Sequence, residues 1–223
     1  MVRRIAITQR EVENADYPDP RDALSQDWAV LMGELFPAAA LLPVPNRLPD
    51  ATGWLSEVSP DLIVLSGGND WGSAPHRDNL EVDIVKQARS SGVPTLFTCR
   101  GFQVLLALCG TPLVTDLSGR TAECHVDRSH EVTLSVRAFN ERAGGTERIE
   151  VNSFHNQGAL AADLRRGGEL VAFAATDHGV LEGCVHHSLP FLGIQWHPER
   201  PGGDRAFDAA IITELASSGA FWA

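Results

Sequence analysis

The 223-residue chain lacks any long apolar run. Behind its N-terminus only Ile5 to Ile7 are continuously apolar, which is too short for the core of a signal peptide, and no stretch approaches a membrane span. Cysteine is also scarce, and the four cysteines, at positions 99, 109, 124 and 184, form no CxxC pair. Such spacing indicates reduced thiols rather than a disulfide framework. We therefore expect a cytoplasmic protein that does not bind a membrane.

Positive charge is in short supply. The chain has 29 acidic and 18 basic residues, a formal net charge of −11, and no cluster of Lys and Arg. Because such a surface repels phosphate backbones, nucleic acid is not an expected partner. Internal repeats and low-complexity segments are lacking too, and 43% of the residues are hydrophobic, enough for a sizeable core. Length and composition predict one domain, residues 1–223.

Strand-like and helix-like segments alternate along the first half of the chain. Strands are predicted at 3–8, 38–44, 61–68 (ending in a Gly turn) and 94–98, and helices at 21–35, 78–91 and 100–108. Shorter strands follow at 131–137, 149–152, 169–176, 180–187 and 191–196, before a helix at 204–216. The pattern predicts a three-layer α/β fold of the flavodoxin-like kind: a mostly parallel central sheet with helices on both faces and antiparallel additions in the C-terminal half.

Cys99 closes an apolar strand-like run and is followed by Gly101 and a helical pattern. This arrangement is typical of a nucleophile elbow, in which the glycine lets the backbone pack closely while the nucleophile projects into a cleft. A thiol at a helix N-terminus meets partial positive charge, which favours the thiolate. The alternative is one more buried core cysteine, as we expect for Cys109 and Cys184.

His197 and Glu199 follow another apolar strand, with Pro198 between them. Proline favours an extended backbone before it, and in an extended chain residues two apart point the same way. His197 and Glu199 can therefore face one cleft, where the carboxylate would orient the imidazole. Together with Cys99 they predict acyl transfer through a thioester.

An oxyanion site requires backbone N–H donors near the nucleophile. The turn at Gly67-Gly68 and the residue after the nucleophile lie at predicted strand ends, so we expect the N–H groups of Gly68 and Arg100 to supply them. In the alternative interpretation Gly67-Gly68 is only a turn.

A metal site is not expected. Cys124, His125 and His130 could supply ligands, but the CxxC and HExxH spacings of known sites are absent. We expect no other cofactor. His155 also follows a strand end, although from spacing alone it could equally cap a helix.

Four motifs occur in order along nearly the whole chain: Gly67-Gly68, Cys99-Arg100-Gly101-x-Gln103, Asn152-Ser153-Phe154-His155 and Gln195-Trp196-His197-Pro198-Glu199. Together they resemble the class I glutamine amidotransferase superfamily, and more narrowly its γ-glutamyl-γ-aminobutyrate hydrolase-like, peptidase C26-type branch. The segment Ser66 to Asp70, with Arg77-Asp78-x-x-Glu81 behind it, is similar to the same branch.

The resemblance implies a Cys-His-Glu triad that cleaves a γ-glutamyl amide, with Cys99 as nucleophile, His197 as proton donor to the leaving nitrogen and Glu199 as its orienting group. It also implies the residues that hold the glutamyl group; these are Asn69, Gln103, Ser153, His155 and Asn156.

The chain departs from the family pattern at two places. Phe97 stands where the family usually has glycine, two residues before the nucleophile, and it is tolerable if it points into the core. The segment from Tyr17 to Trp28 replaces the usual N-terminal substrate loop. It resembles members that remove a γ-glutamyl group from a nucleotide-linked amidate.

Three functions remain open on the sequence. The first is a hydrolase that cuts the γ-glutamyl–nitrogen bond of a small molecule, without an obligate synthase partner. The second is a glutaminase subunit that delivers ammonia to a synthase, and the third is a non-catalytic binding protein. Arg21, Arg77 and Arg100 could each meet a phosphate or carboxylate of the substrate, or form a structural ion pair.

Overall fold

A nine-stranded sheet organises the residues that this computed structural model describes, 1–121 and 124–223. Five parallel strands form one half of it. In sheet order they are β4 (Ala40–Val44), β1 (Arg4–Thr8), β5 (Leu62–Leu65), β6 (Thr95–Thr98) and β11 (Phe191–Ile194). Numbered along the chain, this is the order 2-1-3-4-5 of flavodoxin-like folds, in which ligands bind beyond the carboxyl ends of the strands.

Antiparallel strands complete the sheet beyond β11. In order they are β10 (Leu181–His186), β9 (Leu170–Ala175), β7 (Val126–Leu134) and β8 (Arg148–Phe154). The predicted antiparallel additions in the C-terminal half are confirmed, with one refinement. β11 is antiparallel to β10 but parallel to β6, so its carboxyl end lies beside that of β6.

Helices cover both faces of the sheet. Trp28, Phe139 and Phe207 belong to the core on one face, beneath α1 (Gln26–Leu35), α6 (Arg137–Arg142) and α7 (Arg205–Ser218). The other face carries α2 (Ala51–Val58), α3 (Pro75–Ser91) and α4 (Arg100–Leu108), where Ile84 and Phe102 are buried. Two short elements lie outside these layers, α5 (Leu117–Thr121) and a 3-10 turn at Ala161–Asp163. The predicted three-layer α/β fold is confirmed.

The segment before α1 was predicted wrongly. Instead of a helix from residue 21, a separate hairpin of β2 (Arg10–Glu13) and β3 (Pro20–Ala23) precedes α1. The helix begins only at Gln26 because the Ser25 side chain accepts a hydrogen bond from the Asp27 N–H and caps it. Helices α2 and α6 were not predicted.

Within 1–121 and 124–223, no helix has the length and apolar character needed to cross a membrane.

Candidate active site

Cys99 occupies the sharp turn between β6 and α4. Its φ of 49° lies in the left-handed region, which is uncommon for a residue other than glycine, and its side chain is almost buried. Gly101 allows the turn to pack, since a Cβ there would lie 2.2 Å from the carbonyl oxygen of Leu65 on β5. The backbone therefore has the strained geometry expected for a nucleophile elbow.

Phe97, the residue that departs from the family pattern, points away from the cleft. Its ring is fully buried and lies edge-on to Phe191 of the neighbouring strand, with 5.2 Å between ring centroids. The bulky side chain is thus accommodated in the core.

The pairing of β11 with β6 brings the histidine to the thiol. Ile194 is in register with Thr98, and the Cys99 N–H donates to the Ile194 carbonyl at 2.9 Å. A Cβ on Gly67 would lie 2.7 Å from His197 Cε1 and 3.5 Å from Cys99 Cβ, so the glycine packs against both side chains. Residues from the ends of three neighbouring parallel strands thus meet at one point.

Glu199 is in hydrogen-bond contact with the imidazole of His197. Its Oε1 lies 2.8 Å from His197 Nδ1, and because a carboxylate accepts, Nδ1 is the donor. The pKa of His197 reflects these neighbours. Burial alone would lower it, but the Cys99 charge and hydrogen bonds to Cys99 and Glu199 raise it to about 9. The site therefore favours the protonated, imidazolium form of His197.

Asn152 fixes the backbone of the histidine, a role that sequence analysis missed. Its Oδ1 accepts from the His197 N–H at 2.9 Å, and its Nδ2 donates to the His197 carbonyl at 2.8 Å. The same Nδ2 lies 3.1 Å from the Pro201 carbonyl and 3.3 Å from that of Arg200. The only signal in the sequence was its position at the start of the Asn152-to-His155 motif.

The predicted oxyanion donors lie at the carboxyl ends of β5 and β6. Gly68 has a φ of 107°, and a Cβ there would be 2.6 Å from Arg10 Cβ, so the position requires glycine. Arg100 is the first residue of α4, where a backbone N–H has no partner within the helix. Arg77 supports the glycine loop, since its Nη2 donates to the Ser66 carbonyl at 2.7 Å.

The guanidinium groups of Arg77 and Arg100 form structural ion pairs rather than a free anion site. Both are buried; Arg77 Nε donates to Glu81 Oε1 at 2.9 Å, and Arg100 is paired with Asp78 and Glu81. Burial is the largest influence on both groups and lowers their pKa values, to about 10 for Arg77 and about 9 for Arg100. Both still remain cationic at neutral pH. Arg21 is also paired, with Asp19.

A cleft of about 510 Å³ opens above Cys99. Four of the five predicted glutamyl-binding residues line it; these are Asn69, Gln103, His155 and Asn156. The Nε2 of Gln103 donates to the Gln157 carbonyl at 2.7 Å, while its buried Oε1 has no hydrogen-bond partner in the described chain. That oxygen is available to accept a hydrogen bond from a ligand.

The other predicted binding groups are engaged within the protein. Asn69 bonds both backbone polar groups of Glu11 at 2.9 Å, which fastens the hairpin to the glycine loop. The Asn156 side chain bonds Ser118 and Asp116. Ser153 is fully buried and does not line the cleft; its hydroxyl donates to the His125 carbonyl at 2.6 Å. These side chains shape the cleft wall.

A second cleft, of about 340 Å³, lies between the β2–β3 hairpin and the histidine, and Trp28 forms part of its wall. Arg10 and Arg200 line both clefts, and so does His197. A group that leaves His197 through either cleft therefore passes these two arginines. The Arg200 guanidinium stacks on Phe154 at 4.5 Å, and Phe154 in turn lies edge-on to His197. Sequence analysis found neither arginine. The wrongly predicted helix concealed β3, the strand that pairs with Arg10, and no pattern marked Arg200.

The sequence model described as peptidase C26 matches residues 50–199, which contain the glycine turn, the elbow and His197-Pro198-Glu199. The chain belongs to the peptidase C26 family. It is 28% identical over 206 residues to the γ-glutamyl-CDP-amidate hydrolase of Campylobacter jejuni, covering 89% of this chain and 91% of that protein. It is 30% identical over 171 residues to the γ-glutamyl-γ-aminobutyrate hydrolase PuuD of Escherichia coli, covering 70% and 65%.

The fold matches solved glutamine amidotransferase structures. The glutaminase domain of Trypanosoma brucei CTPS with bound acivicin superposes with a TM-score of 0.69 at 17% identity, covering 99% of this chain and 96% of that one. The glutamine amidotransferase tm1158 of Thermotoga maritima gives 0.61 at 17% identity, with 96% and 83% covered. The peptidase C26 member described here thus has the class I glutamine amidotransferase fold.

Proposed function

We propose that the chain is a cysteine hydrolase that cleaves a γ-glutamyl–nitrogen bond through a γ-glutamyl thioester. The observation that carries the proposal is the meeting of Cys99 and His197 at the ends of paired strands, with Glu199 2.8 Å behind the imidazole. The peptidase C26 match and the two γ-glutamyl hydrolases among its relatives support the same bond.

In the first half-reaction the Cys99 thiolate attacks the γ-carbonyl carbon of the substrate. The carbonyl oxygen becomes an oxyanion, which accepts hydrogen bonds from the Gly68 and Arg100 N–H groups. The imidazolium of His197 then gives its Nε2 proton to the leaving nitrogen as the carbon–nitrogen bond breaks. The amine departs and the thioester remains on Cys99.

Water completes the cycle. Neutral His197 removes a proton from water, the resulting hydroxide oxygen bonds to the thioester carbon, and the carbon–sulfur bond breaks to release glutamate. The thiolate and imidazolium are restored. Glu199 accepts from Nδ1 throughout, which keeps the proton transferred in each step on Nε2.

The glutamyl group is held in the cleft above Cys99. Gln103 offers its unpartnered Oε1 to the α-ammonium group of the substrate, and His155 and Asn156 also line this cleft. The side chains of Asn69 and Ser153 act by holding the loops in place.

We further propose that the leaving group carries negative charge, as in a nucleotide-linked amidate. Arg10 and Arg200 line both routes from His197, and the described chain gives Arg10 no ion-pair partner. A relative that matches 89% of the chain is named as acting on γ-glutamyl-CDP-amidate.

Glutamate release from a panel of γ-glutamyl amides tests the proposal: simple amines, peptides, a nucleotide-linked amidate and glutamine. We expect the purified chain to act alone, Cys99→Ala to be inactive and Cys109→Ala to retain activity. Arg10→Gln should raise KM for the charged leaving group more than for a neutral one. Turnover that persists in Cys99→Ala would refute the hydrolase, whereas release from glutamine only after addition of a synthase would favour ammonia delivery.

A further inference from the structure

Three imidazoles converge on one buried carboxylate behind the active-site cleft. Glu182, on β10, is fully buried. Its Oε1 lies 3.4 Å from His130 Nε2, 3.5 Å from His155 Nε2 and 3.8 Å from His125 Nδ1. His130 lies on β7, and the other two histidines immediately precede β7 and follow β8. The cluster therefore joins the paired strands β7 and β8 to β10.

These separations suit a shared metal ion. With bonds of 2.0–2.2 Å, two ligand atoms of a tetrahedral zinc site stand about 3.4 Å apart. The ligand atoms of His125, His130 and Glu182 all lie within 4.8 Å of one another, so a small adjustment brings them around one ion. His155 is outside this set of three, but its Nε2 lies 3.5 Å from Glu182 Oε1, which makes it the candidate for a fourth ligand.

Glu182 places a buried carboxyl group at the centre of the cluster. Both of its oxygens are buried, and neither makes a hydrogen bond of good geometry in the described chain. A buried carboxylate is costly unless positive charge compensates it, so a cation held among these side chains would stabilise the group.

The tautomer of His155 favours metal coordination. Its Nδ1 lies 3.2 Å from the Gln157 backbone carbonyl, which can only accept, so Nδ1 carries the proton. When the ring is neutral, Nε2 then presents a lone pair to the cluster. Metal-bound histidines usually donate their other N–H to a carbonyl or carboxylate in this way.

We propose that His125, His130, His155 and Glu182 form a structural site for one zinc-type divalent transition metal ion. A bound metal ties β7 and β8 to β10 and fixes the position of His155 at the cleft wall. The sequence expectation of no metal depended on linear spacing, whereas this ligand set comes from three separate segments of the chain. The inference does not depend on the proposed hydrolysis.

Metal binding to untagged, chelator-treated protein tests the site. We expect one Zn²⁺ per chain, a higher Tm with Zn²⁺ than with chelator, and the visible absorption of tetrahedral Co²⁺ when cobalt replaces zinc. His130→Gln and Glu182→Gln should each weaken Zn²⁺ binding at least about tenfold. Loss of even an outer-shell partner lowers metal affinity by about 10- to 100-fold, and a direct ligand should matter no less. His187→Gln, at an exposed histidine, is the matched control and should bind as the native chain does.

Two results would overturn the proposal. One is an absence of stoichiometric Zn²⁺ binding in native protein that is folded by circular dichroism, which would mean that protons on the imidazoles neutralise Glu182. The other is unchanged affinity in His130→Gln. Because His130 is partly exposed, this variant keeps the test decisive even if Glu182→Gln does not fold.

Discussion

Removing the Cys99 thiol should lower the pKa of His197. Burial alone disfavours the imidazolium, yet the pKa rises from 6.5 to about 9, and the charge of Cys99 is the largest of the influences that raise it. The increase corresponds to about 3 kcal/mol in favour of the charged ring. In Cys99→Ala only Glu199 and weaker influences oppose burial. We therefore expect the pKa to fall by at least about one unit, or about 1.4 kcal/mol.

The assay is an NMR titration of ¹³C-labelled histidine, in which the Cε1 resonance that disappears in His197→Gln is assigned to His197. Cys109→Ala is the matched control, because it removes a thiol at the opposite end of α4 and should leave the titration unchanged. Equal midpoints in native protein and Cys99→Ala would refute the inference that Cys99 raises the pKa of His197.

Three other changes test the structural argument. Gly101→Ala places a Cβ 2.2 Å from the Leu65 carbonyl oxygen and should lower the free energy of unfolding, measured in urea, by about 1–3 kcal/mol or more. Gly33→Ala is the control, because a Cβ there meets nothing within 4 Å and should not lower stability. Equal effects of the two changes would contradict the elbow packing. Asn152→Ala releases the His197 backbone and should lower kcat for glutamate release about 100-fold; a change in KM alone would contradict this positioning role. Burial raises the pKa of Asp208 to about 7, so the native state binds more protons than the unfolded state between pH 4 and 7, and stability should fall as pH rises through that window. Asp208→Asn should flatten the slope in pH-dependent urea unfolding, and an unchanged slope would count against this assignment.

The elbow could be predicted from the sequence because its determinants are local. Pro94 and Cys99 bracket a short apolar strand, and the observed helix, Arg100–Leu108, has the predicted bounds. Sequence analysis also placed His197 and Glu199 on one face, and the two side chains are 2.8 Å apart. The expected extended backbone was wrong, however: the chain turns here, and the Arg200 N–H donates to the His197 carbonyl at 3.1 Å. In both cases a few consecutive residues determine the geometry.

The hairpin and the arginines could not be predicted in this way. Residues 20–23 are mostly polar, and they form a strand only by pairing with residues 10–13. Whether an arginine meets a substrate depends on which acids pack against it. Arg77 and Arg100 are paired with Glu81 and Asp78 because α3 and α4 are neighbours. The role of Ser153 could not be predicted either. The motif identified the residue, but not that its hydroxyl bonds the His125 carbonyl inside the protein instead of facing the cleft.

The position of β11 explains why the two halves of the sheet make one site. The chain enters this strand from the antiparallel half, yet the strand pairs parallel with β6, so His197 emerges beside Cys99. A Cβ on Gly193 would lie 2.4 Å from the Phe102 ring, which shows that α4 packs directly on β11. The helix that carries the nucleophile turn is therefore held against the strand that delivers the histidine. Asn152, from the antiparallel half, holds the histidine backbone from the other side, so the reacting geometry depends on both halves of the sheet.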